Sequence, residues 1–134
     1  MAVPHGMLIS RNDITPDSLV DLQGERKVVE HISNTMANSS LFKIDKEDHT
    51  LANLLRMKLH ESPLVQIAGY RVPHPTKHNV ELRVQTASSG TDTPVPTPKR
   101  ALQDAIDGCL KDLEIFEEQL RREAQLKGLE VPLS

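Results

Sequence analysis

Residues 48–86 read DHTLANLLRMKLHESPLVQIAGYRVPHPTKHNVELRVQT, and this stretch decides the fold. Its first third is an amphipathic helix. Leu51, Leu54, Leu55 and Leu59 fall at i, i+3, i+4 and i+8, on one helical face. Asp48 or Thr50 can cap it by accepting from backbone N–H groups that have no intrahelical partner. Pro63 ends it, because the residue before a proline is pushed out of the helical region. Residues 64–72 predict a strand, and Gly69 within it suggests a bulge or a close backbone approach. Pro73-His74-Pro75 makes a stiff corner that lacks two backbone donors. Val80, Leu82, Val84 and Thr86 then alternate with Glu81, Arg83 and Gln85, which predicts a strand with one buried and one wet face.

Upstream, residues 1–27 hold short apolar patches between prolines and glycines and predict an irregular N-terminal arm. A short strand fits residues 27–32, a polar loop residues 33–40, and Phe42 and Ile44 share one side of a further strand. Downstream, residues 87–98 (ASSGTDTPVPTP) predict a flexible linker. Thr97 caps the last helix, over 98–127, with Pro98 in its first turn, where the missing N–H costs nothing. Gly128 supplies a C-terminal stop, and residues 129–134 are a tail. The whole predicts one domain over 28–128 in a chain of 134 residues.

In the last helix, Leu102, Ile106, Cys109, Leu113, Phe116 and Leu120 step by 4, 3, 4, 3 and 4, a heptad seam. Ala105, Leu110 and Ala124 widen it. Burying a Leu, Ile or Phe contributes roughly 1.5–3 kcal/mol, so leaving the six seam positions, five of them of this kind, in water forgoes about 10 kcal/mol or more, gross. One other helix and a small sheet cannot cover a stripe that long, which marks an interaction surface. Gly108, beside the seam, costs ~1 kcal/mol relative to Ala, a cost that suits either the close approach of a partner helix or, equally, neutral drift.

Composition narrows the chemistry. The hydrophobic content is 37%, the only large aromatics are Phe42, Tyr70 and Phe116, and the net charge is −3. No field favours phosphate backbones, and no base-stacking platform is visible. The single cysteine excludes an internal disulfide and fits a reduced intracellular chain. No apolar run approaches the ~18 residues of a membrane span, and the N-terminus lacks the basic and apolar regions of a secretory signal. Asp45, Glu47, Asp48 and His49 could do acid–base work, but carboxylates at a helix start are favourable for capping and dipole reasons alone. His74 and His78 lack the further ligands of a zinc site. Cys109 on the seam reads as a buried, inert thiol. No catalytic residue, metal or cofactor is assigned.

The motifs carry a resemblance. Lys46-Glu47-Asp48-His49-Thr50-Leu51 with Asn53, and Ala68-Gly69-Tyr70-Arg71-Val72-Pro73-His74-Pro75, resemble the small α-like subunits of archaeal and eukaryotic RNA polymerases. These are similar to the N-terminal dimerisation domain of the bacterial polymerase α subunit. The likeness covers residues 41–122, and its wording looks more like the polymerase II version than the one shared by polymerases I and III. Two departures stand out: Ala52, where the family usually carries Gly and where a methyl would crowd a partner backbone, and a longer linker before the last helix.

The resemblance implies an α+β fold, a small antiparallel sheet with two helices packed on one face. It implies a non-catalytic scaffold of a DNA-directed RNA polymerase in the nucleus. Its partner would be a larger α-like subunit, and the pair would then dock the large catalytic subunits, with little nucleic-acid contact and no membrane. Partner-contact candidates are His49, Thr50, Leu51, Asn53, Leu54, Leu55 and Leu59 from the first helix. The last helix adds Leu102, Ile106, Cys109, Leu113, Phe116 and Leu120. Competing readings are a homodimeric coiled-coil adaptor and a small hydrolase built on His49.

Overall fold

The alternation of Val80, Leu82, Val84 and Thr86 becomes the floor of the core. In the computed structural model, which describes Leu22 and residues 24–87 and 95–128, these four side chains are buried on strand β4 (Asn79–Thr86). The other strands are β1 (Val28–Ile32), β2 (Ser39–Asp45) and β3 (Val65–Arg71), and the helices are α1 (His49–His60) and α2 (Pro98–Leu126). The sheet order is β1-β2-β4-β3, every neighbouring pair antiparallel. β2 and β3 therefore run parallel, with β4 inserted between them and α1 as the crossover.

Register sets which side chains face the helices, since directly opposed residues share a face. Phe42 pairs with Leu82 and Ile44 with Val80, and all four are buried. Ala52, Leu55 and Leu59 of α1 and Ala101, Leu102, Ala105 and Cys109 of α2 complete the core. Both helices lie on that one face, against each other. The fold is the α+β arrangement that the resemblance implies.

β1 escapes this cover. Val28 opposes Ile44 and Ile32 opposes Ser40, so both point to the helix side, yet both are exposed, Ile32 by 74%. Between them Glu30 also faces the helix side, and Ser40 Oγ donates to Glu30 Oε1 at 2.8 Å. An acid there remains reachable by water because, among the described residues, neither helix lies over it.

Several local expectations are corrected. β2 starts at Ser39, inside the predicted loop; Ser39 and Ser40 are buried, and backbone pairing to Gln85 and Val84 outweighs their polar side chains. α1 ends at His60, capped by Glu61 whose N–H reaches Leu59 O and Lys58 O, three residues before Pro63. Gly69 is neither the bulge nor a close approach. The irregularity lies between Val65 and Ile67, and a Cβ on Gly69 would meet nothing within 4 Å. Ala52 is fully buried inside its own domain, so its methyl packs on the sheet and cannot crowd a partner. The expected arm (most of residues 1–27), the middle of the linker and the tail lie outside the described residues.

Candidate partner interface

α2 is 29 residues long, about 43 Å at 1.5 Å per residue, and only its first half has anything to lie on. Thr97 Oγ1 accepts from the Arg100 N–H at 3.3 Å and fixes the start. Leu102 and Cys109 then enter the core, whereas residues 110–120 are exposed without a break. At 100° per residue, Leu102, Ile106, Cys109, Leu113, Phe116 and Leu120 occupy one stripe about 80° wide. The stripe continues past the edge of the sheet as an uncovered apolar face, with Ile106, Leu113, Phe116 and Leu120 between 40% and 62% exposed.

The six-residue seam is thus divided. Leu102 and Cys109 lie in the core, and so do Leu55 and Leu59 of α1. A heptad pattern specifies a continuous stripe but not what each part of it touches. Leu51 packs at the margin of the core, and Leu54 is exposed, joined by Met57 one turn on. Met57 and the two β1 residues were not singled out in the sequence. Met57 could have been, from its i+3 spacing to Leu54, but Val28 and Ile32 could not, because only the tertiary packing leaves them bare. Completing the burial of Ile106, Leu113, Phe116 and Leu120 is worth roughly 3–7 kcal/mol gross.

The polar candidates at the start of α1 hold structure together. Asp48 Oδ1 accepts from the Thr50 N–H at 2.8 Å, which settles the capping residue, and that hydrogen bond holds the Asp48 carboxyl below its ordinary 3.8. His49 Nδ1 lies 3.1 Å from Tyr70 Oη, its ring edge-on to the tyrosine. Asn53 Oδ1 accepts from Arg56 at 2.9 Å. His49, Thr50 and Asn53 are all exposed. Glu47 pairs with Lys27 at 2.6 Å, Asp45 with Lys43 at 3.2 Å, and Asp48 serves as the cap, while His49 bonds to Tyr70 and not to a carboxylate of this cluster. That arrangement removes the basis for the hydrolase reading. Among the described residues no group of three or more His, Cys, Asp or Glu could hold a metal ion, and no helix is long and apolar enough to cross a membrane. Burial lifts the Cys109 thiol above its usual range, leaving it protonated at neutral pH.

Comparison with known proteins agrees with this geometry. Residues 39–119 match the RNA polymerase Rpb3/Rpb11 dimerisation domain. The chain is 37% identical to DNA-directed RNA polymerase II subunit RPB11 of Schizosaccharomyces pombe over 113 residues, 84% of this chain and 87% of that one. It is 36% identical to subunit RPAC2 of RNA polymerases I and III from the same yeast, over 87% of this chain and 93% of that one. A crystal structure of RNA polymerase subunit L from Thermoplasma acidophilum superposes with a TM-score of 0.59 at 20% identity. It covers 81% of this chain and 100% of that one, a likeness of fold.

Proposed function

The chain belongs to the RNA polymerase Rpb3/Rpb11 dimerisation-domain family, and from that premise we propose that it is a non-catalytic assembly subunit of a DNA-directed RNA polymerase. It pairs with a larger α-like subunit, and the pair forms a platform for the large catalytic subunits. The observation that carries this reading is the uncovered stripe on the second half of α2, an apolar face that continues the core where the domain has ended. Ile106, Leu113, Phe116 and Leu120, with Leu54 and the exposed start of α1 at His49, Thr50, Leu51 and Asn53, supply the contact surface.

The polymerase II enzyme is the assembly we assign, in the nucleus, because the family wording of Lys46–Leu51 and Ala68–Pro75 follows that version. The likeness to RPAC2 favours a second assignment, to polymerases I and III. Affinity purification of the tagged chain from cells, with identification of the co-purifying large subunits, separates the two. The interface itself is tested by co-expression with the larger α-like subunit. Ile106→Asp with Leu113→Asp abolishes recovery of the pair, since both place unpaired charges in an apolar contact. Unchanged recovery removes the stripe from the interface. A concentration-dependent homodimer of the chain alone, with the larger subunit ignored, overturns the heterodimer.

A further inference from the structure

Gly108 marks the place where α1 and α2 pass each other. A Cβ there would stand 2.6 Å from Lys58 Cε and 3.6 Å from Lys58 Cδ and Cγ, so the lysine stem lies directly over the glycine backbone. Beyond the stem, Lys58 Nζ reaches Glu61 Oε2 at 2.8 Å and Asp112 Oδ2 at 2.7 Å. Glu61 follows α1 itself, whereas Asp112 belongs to α2, one turn past Gly108. Cys109 is the last buried residue of α2. The cross-helix ion pair therefore sits where the helix leaves the domain. Both carboxylates hold the ammonium in its charged form, raising its pKa above the ordinary lysine value.

We propose that Lys58, admitted by the missing side chain of Gly108 and held by Asp112, is a clasp that sets the direction in which the free half of α2 leaves the domain. This rests on the reading of that half as the partner contact. The mechanical argument is one of leverage. From Cys109 to Leu120 the helix extends about 16 Å, so a pivot of roughly 10° at the exit moves Leu120 by about 3 Å. Close-packed apolar contacts tolerate far less than that. The anchors Ala101, Leu102, Ala105 and Cys109 all lie at or before the exit, so among the described residues no buried apolar contact holds the helix beyond it. The glycine recognised beside the seam thus serves an approach within the chain, not the approach of a partner helix.

The test uses the full chain with its buried Cys109 left in place, and with spin labels at Gln66→Cys and Gln119→Cys to report the angle between sheet and helix tip. Affinity for the larger α-like subunit is measured on the same variants. Gly108→Ala displaces the Lys58 stem while favouring the helix, so melting temperature holds or rises. Even so, the distance distribution broadens and the apparent Kd rises. Asp112→Asn gives the same broadening, and Glu61→Gln, whose carboxylate pairs with Lys58 from the end of the same helix, does not. An exposed ion pair shifts an equilibrium by up to about fivefold. Apparent Kd rises by the inverse of the competent fraction, so a rise of at most about fivefold is expected. Unchanged distances in Gly108→Ala and Asp112→Asn overturn the clasp. Broadened distances with unchanged affinity overturn its role in partner binding. If the unsubstituted chain fails to bind the larger subunit, the assembly reading fails and the distances still decide the clasp.

Discussion

Truncating Leu113 and Phe116 together to alanine separates the work of folding from the work of binding. Leu113 is 58% and Phe116 62% exposed in the free chain, so about three-fifths of the burial value of each is still available to a partner. With roughly 1.5–3 kcal/mol for full burial of either side chain, the unspent part is about 1–2 kcal/mol each, or 2–4 kcal/mol for the pair. The affinity for the larger α-like subunit should fall by about thirtyfold to several hundredfold. The fold should scarcely notice, since neither side chain belongs to the core. Titration calorimetry gives the affinity, and hydrogen exchange of the β4 amides reports whether the domain has loosened. Leu59→Ala is the reference with the opposite signature: its side chain is 1% exposed, and its loss costs the fold about 2–5 kcal/mol. The reasoning is refuted if the double variant binds normally, or if it unprotects β4 as Leu59→Ala does.

Three further outcomes follow from the same structure. Asp48→Ala removes the cap of α1 and costs about 1 kcal/mol or less at neutral pH. Because the folded carboxyl titrates below 3.8, the cap's contribution is complete above that value and disappears as pH falls through the lower, folded one. Denaturant midpoints of the native and Asp48→Ala chains should therefore converge in acid, and a constant gap would sink the assignment. His60 Nε2 lies 2.9 Å from Ala68 O, and a carbonyl only accepts, so Nε2 carries the proton; His60→Ala should cost about 1 kcal/mol in chemical unfolding. Gly69→Ala, with open space around the new methyl, should be neutral or stabilising by up to about 1 kcal/mol; a clear loss would restore the close approach that the structure lacks.

The local chemistry of several elements could be read directly. Thr97-Pro98 starts α2 and Gly128, at φ +67°, follows its end, because capping depends on neighbours in sequence. The alternation of β4 named its buried face, because side chains on a strand alternate whatever lies above them. Asp48 and Thr50 were equal candidates for the cap, and only backbone geometry chose the aspartate. Ser39 and Ser40 read as loop because a strand at the centre of a sheet is held by its neighbours, and the one that pairs with both serines, β4, is more than forty residues away.

What the sequence alone determined is therefore the amphipathic stripes, the caps and the alternating strand, together with the fact that the last helix carries more apolar surface than a small domain can cover. Only the tertiary structure decided how that surface is shared. Leu102 and Cys109 turn inward, Leu113, Phe116 and Leu120 stay out, and Gly108 faces Lys58. The physical reason is that periodicity fixes the face of a helix, while the length over which that face is covered depends on where the sheet ends.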